Sequence, residues 1–174
     1  WCPTTATDAR KIYFNPGYFD SLSLSQIEFA LAHEALHCAL AHFARRQHRN
    51  KQRWDIACDL AVNPLLIEDG LTPPPDVLYL PDYSGLSAEE IYPLLEDNPK
   101  EEPHDRHLYD AESPGQNQSQ HRPQDASNLL ADAALPPQAL NPAERAQLEQ
   151  QWRERLAGAA QQAAQAGRLS ATLT

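Results

Sequence analysis

The chain has 174 residues, enough for one domain with a packed core and an appended segment. Apolar residues make up 41%, which is ordinary for a globular protein, and 15 prolines point to stretches of loop or linker. A formal net charge of −10 argues against non-specific nucleic-acid binding and against attraction to anionic membranes, both of which draw on a surplus of Lys and Arg.

Lys11 to Phe14 reads as a short strand of aromatic and β-branched residues, stopped by Asn15-Pro16-Gly17 as a turn. The strongest helix signal follows. Ser25 and Glu28 have the spacing of a capping box, and the pattern predicts a helix from about Gln26 to about Arg46. Phe29, Leu31, Leu36, Leu40 and Phe43, with alanines between them, make it apolar nearly all round, so it should be buried. The basic residues at and beyond its end, Arg45, Arg46, Arg49, Lys51 and Arg53, read as solvated charges that complement the helix dipole.

A second helix is expected from about Arg53 to Val62, interrupted at Asn63-Pro64, with a further short turn ending near Gly70. Val77 to Leu80 has the makings of a short strand. Ser87 to Leu95 should be helical behind a Ser87–Glu90 capping box. From Glu96 to about Ser127 the chain turns polar and loses periodicity, as a long surface loop would. Asn141 then opens a last helix whose Leu148, Trp152, Leu156 and Ala160 form one apolar stripe, with Gly167 as its C-cap. This divides the chain into a main domain over 1–97, a polar flexible loop over 98–127, and a C-terminal helical segment over 128–174 that packs on the same domain.

The three cysteines match neither a metal knuckle nor a disulfide framework, and Cys38 and Cys58 read as small buried residues within apolar helices. With no signal peptide and no long apolar run, a soluble cytoplasmic protein is expected.

The chemistry lies in His33-Glu34-Ala35-Leu36-His37, an H-E-x-x-H pattern inside the buried helix. Histidines four apart are separated by about 40° around the axis and about one turn along it. Both imidazoles therefore reach one point, and neutral imidazole is a good zinc ligand. Glu34 leaves the helix about 100° from His33, beside the metal rather than on it, where it can take a proton from water. His42, nine residues past His33, falls on the opposite side of a continuous helix and outside the cluster.

A catalytic zinc needs a third protein ligand. The extended pattern with a further histidine is absent, because Leu40 and Phe43 stand where it requires glycine and histidine. The best local source is the second helix, where Asp55, Asp59 and Asn63 share a face. Asp59 lies deeper in the apolar stretch and is preferred to Asp55. The competing account pairs both acids with Arg45, Arg46 or Arg53.

These stretches together resemble the bacterial metallopeptidase domain that precedes von Willebrand factor A-like domains. The matching residues are Thr7 to Pro16, Leu31 to His37, Trp54 to Asn63 and Leu86 to Tyr92. The resemblance implies an α+β, zincin-like fold, mostly helical, with a small β-sheet and a buried HExxH helix. It implies Zn2+ held by His33, His37 and Asp59, with Glu34 as general base for hydrolysis of peptide or protein substrates. It also implies a setting beside a MoxR-type ATPase and a von Willebrand A-like domain. The helix expected before the first strand, and that A-like domain, are missing from the chain, as in an excised domain.

The first reading is therefore a zinc-dependent peptidase. The alternative is a non-catalytic, zinc-stabilised protein-binding module serving the same ATPase system, and the two differ in whether the zinc keeps an open position. For the group that stabilises the oxyanion, Tyr83, His104 and His107 qualify by chemistry alone.

Overall fold

The computed structural model describes residues 2–75, 77–96, 103, 106–108 and 137–167. The fold is α+β and mostly helical. Strand β1 (Thr5–Thr7) pairs antiparallel with β2 (Ile12–Phe14), Ala6 opposite Tyr13, and parallel with β3 (Arg106–His107), giving the order β2-β1-β3. The Asp8 carboxylate holds the β1–β2 loop. Its Oδ1 accepts from the backbone N–H groups of Arg10 and Lys11, and its Oδ2 accepts from the Tyr13 hydroxyl. The β3 residues lie within the stretch read from sequence as loop; most of that stretch, and His104 with it, falls outside the described residues.

The Asn15-Pro16-Gly17 turn is instead the start of a short helix, α1 (Pro16–Asp20). Asn15 caps it by accepting from the Gly17 N–H, and proline fits the first helical position. Helix α2 (Leu24–Ala39) begins two residues before the expected start at Gln26. Ser23 and Gln26 make the reciprocal pair of bonds, a glutamine serving as well as a glutamate.

The long single helix expected through Arg46 does not form. Ala41 adopts a left-handed conformation (φ 54), the chain turns, and α3 (His42–Arg45) sets off in a new direction. Arg45 reaches back to donate to the Leu40 carbonyl, supplying a partner at the end of α2. A left-handed alanine costs about 1–2 kcal/mol.

Helix α4 (Lys51–Glu68) runs straight through Pro64, capped by Asn50. Proline gives up one backbone bond, but burial on every side of α4 offsets that loss. Trp54, Ile56, Cys58, Leu60, Val62 and Leu66 are all buried, making α4 the central element. Against it pack α2 and α5 (Ala88–Ile91), the latter capped by the expected Ser87–Glu90 box and followed by a 3-10 turn at Tyr92–Leu94. The Ser87 bonds hold the Glu90 carboxyl below its usual pKa. Val77 to Leu80 forms no strand; Leu78 spends its carbonyl on the Asn63 side chain.

The last helix, α6 (Pro142–Gln165), starts at an Asn141–Glu144 capping box and buries none of its residues fully. Its stripe packs Leu148 and Trp152 beside Cys38, Phe43 and Leu140, and the Trp152 indole donates to the Ala9 carbonyl at 2.8 Å. Gly167 follows it with φ 63, the left-handed geometry that glycine adopts at no steric cost.

The basic cluster is engaged rather than solvated. Arg45 pairs with Glu89, Lys51 with Asp55, Arg49 lies over the Trp54 ring at 4.9 Å, and Arg53 lies over Tyr92 at 4.5 Å. Carboxylates and aromatic rings of α4 and of Ser87 to Leu95 supply these partners; Glu89 and Tyr92 lie far off in sequence, while Asp55 is one turn from Lys51.

Candidate metal centre

Helices α2 and α4 lie side by side, and each presents two polar residues one turn apart to the seam: His33 and His37 from α2, Asp59 and Asn63 from α4. All four have no exposed surface, and the same holds for Glu34. The Nε2 atoms of His33 and His37 are 3.0 Å apart. Asp59 Oδ1 lies 3.6 Å from the first and 3.4 Å from the second. One donor atom from each residue thus falls within 4.8 Å of the other two, close enough for one metal ion.

The network around the donors fixes how they face. Asn63 Nδ2 donates to the Leu78 carbonyl at 2.8 Å, so its Oδ1 turns to His33 Nδ1 at 2.9 Å. His33 therefore donates from Nδ1, and in the neutral ring its Nε2 carries the lone pair a metal needs. Asp55, one turn before Asp59, is committed elsewhere: Lys51 donates to its Oδ2 at 2.6 Å. The cation of that ion pair is none of the arginines considered from sequence.

His42 is the residue that helical spacing misplaced. Its ring is 1% exposed and its Nδ1 lies 3.1 Å from His37 Nδ1. The reversal at Ala41 cancels the half-turn that a continuous helix would have put between them. Alanine is a strong helix former, so the sequence carries no signal of the break. His42 is anchored further by its carbonyl, which accepts from the Trp54 indole at 3.3 Å.

The donors suit a divalent cation. Burying carboxylates among imidazoles without a compensating charge is costly. A dication among neutral His33 and His37 would offset the buried Asp59 carboxylate. His37, His42 and Cys58 form a second group of close donors. There, burial and the neighbouring Asp55 and Asp59 push the Cys58 thiol well above its usual pKa. Cys2, Cys38 and Cys58 form no disulfide among the described residues.

A groove of about 410 Å³ lies on a neighbouring face of α2, lined by Ala32, Ala35, Leu36 and Ala39 with Leu66 of α4 and Leu156 of α6. It is apolar and separate from the histidine seam. Tyr83 is half-buried against Leu60's cluster rather than at the seam. No described helix is long and apolar enough to cross a membrane.

A family model described as "Putative metallopeptidase domain" matches residues 1–174, the whole chain. No curated protein and no solved structure matches.

Proposed function

The chain belongs to this metallopeptidase-domain family, and from that premise we propose that it is a zinc-dependent peptidase of zincin-like fold, with the metal held by His33, His37 and Asp59. The observation that carries the reading is the convergence of two imidazole nitrogens and one carboxylate oxygen in a buried seam. Bound there, zinc would acidify water and polarise a peptide carbonyl. Glu34 accepts the proton of the attacking water and delivers it to the leaving amine nitrogen. Asn63 orients His33, and Asp59 supplies the anionic donor.

The test is Glu34→Gln. The substitution is nearly isosteric, so fold and zinc content should persist. Cleavage of mixed unfolded peptides should fall about a hundred- to ten-thousand-fold, the usual general-base contribution. Equal cleavage by wild type and variant contradicts the mechanism.

The complete burial of His33, Glu34, His37 and Asp59 favours a second reading, because hydrolysis at a covered centre needs an opening motion. In that reading the zinc is structural, and the chain is a protein-binding module working with a MoxR-type ATPase and a von Willebrand A-like domain. Wild type that holds one zinc and cleaves nothing supports it.

A further inference from the structure

We propose that His42 is a positioning residue that sets the tautomer and ring orientation of His37, so that His37 offers its Nε2 lone pair toward Asp59. This rests on the reading of His33, His37 and Asp59 as ligands and extends it to a residue outside the H-E-x-x-H pattern.

The argument starts from proton bookkeeping. A neutral imidazole has one N–H and one lone pair. The neighbour of His33 is unambiguous: Asn63 Oδ1 is an acceptor, so the proton sits on Nδ1. The neighbour of His37 is another imidazole, with Nδ1 facing Nδ1 at 3.1 Å, and only one of the two can donate. For His37 to present a lone pair at Nε2, it must donate from Nδ1. His42 Nδ1 must then accept, which places the His42 proton on Nε2. Each ring keeps one proton, and the assignment runs from His42 to His37 to the donor cluster.

The backbone supports a dedicated role. His42 reaches this position only because Ala41 is left-handed, a conformation alanine seldom adopts. The ring is then held at its edge by Trp54, their centroids 6.2 Å apart at an interplanar angle of 80°. Partners of the non-coordinating nitrogen usually change metal affinity about tenfold to a hundredfold when removed.

The experiment measures zinc affinity of the full chain by chelator competition, with metal stoichiometry, for wild type, His42→Phe and His42→Asn. Phenylalanine keeps a ring but has no acceptor. Asparagine can place an amide oxygen where Nδ1 stood. The expected result is one zinc per chain throughout, with affinity about tenfold to a hundredfold weaker in His42→Phe and restored to within a few-fold in His42→Asn. Nitrogen NMR of the zinc-loaded wild type, which does not depend on either variant folding, should show protons on His37 Nδ1 and His42 Nε2. Equal zinc affinity in His42→Phe, or a proton on His42 Nδ1, overturns the proposal while leaving the three-ligand reading intact. Two zinc ions in wild type falling to one in His42→Phe also overturns it, making His42 a ligand of a second metal with His37 and Cys58. Wild type that takes up no zinc overturns the ligand reading and this proposal together.

Discussion

Two faces of α2 meet different surroundings. One carries His33 and His37 into the seam with α4, where histidine, aspartate and asparagine side chains have no exposed surface. The other carries Ala32, Ala35, Leu36 and Ala39 along an open apolar groove bordered by α6. A fold built for stability alone would reverse this, since buried ionisable groups are costly and exposed apolar surface forfeits burial. Complete burial of polar groups on one side and an apolar groove on the other are what set the two faces apart.

The comparison can be broken most directly at α4. Asp59→Asn should weaken zinc binding by more than the tenfold to hundredfold typical of outlying partners, and Asp55→Asn should change it by no more than a few-fold. Chelator competition on both variants measures the difference. Comparable losses would mean that the Lys51–Asp55 pair belongs to the metal centre after all.

Stability should divide the same way. Trp54, fully buried beneath the seam, should cost about 3–5 kcal/mol when changed to alanine. Trp152, half-buried on α6, should cost under about 2 kcal/mol. Urea denaturation of both variants decides this, and equal costs would show that α6 is as integral as α4. A smaller effect is expected at the start of α6, where Asn141→Ala removes a cap and should lower stability by about 1 kcal/mol.

The sheet offers the smallest signal. Burial and the adjacent Asp8 carboxylate push the Tyr13 hydroxyl up to about 12 from a usual 10.0. The folded state thus favours the protonated phenol, so its contribution is fully present below pH 10 and lost as pH rises toward 12. Tyr13→Phe should flatten that decline in a urea titration across this range.

Much of this was legible beforehand, for physical reasons. Helical spacing brings His33 and His37 together, and the same spacing puts Asp59 and Asn63 on one face of the next helix. The Ser87–Glu90 capping box and the helix start at Asn141 are legible in local chemistry. What escaped was non-local or silent in composition. Strand β1, Thr-Ala-Thr, has no alternating hydrophobic pattern because all three residues are buried. Pro64 sits inside a helix because tertiary packing outweighs its local penalty. The reversal at Ala41 uses a residue whose propensity points the other way, and so helical spacing puts His42 on the wrong side of the helix.

The central claim is that the seam between α2 and α4 holds a metal ion. Elemental analysis of the purified full chain, beside His33→Ala and His37→Ala, tests it most directly. The account predicts close to one zinc per chain in wild type, and loss of both metal and stability in each variant, because binding energy is coupled to folding. Wild type without metal, or metal content unchanged in both variants, would contradict it.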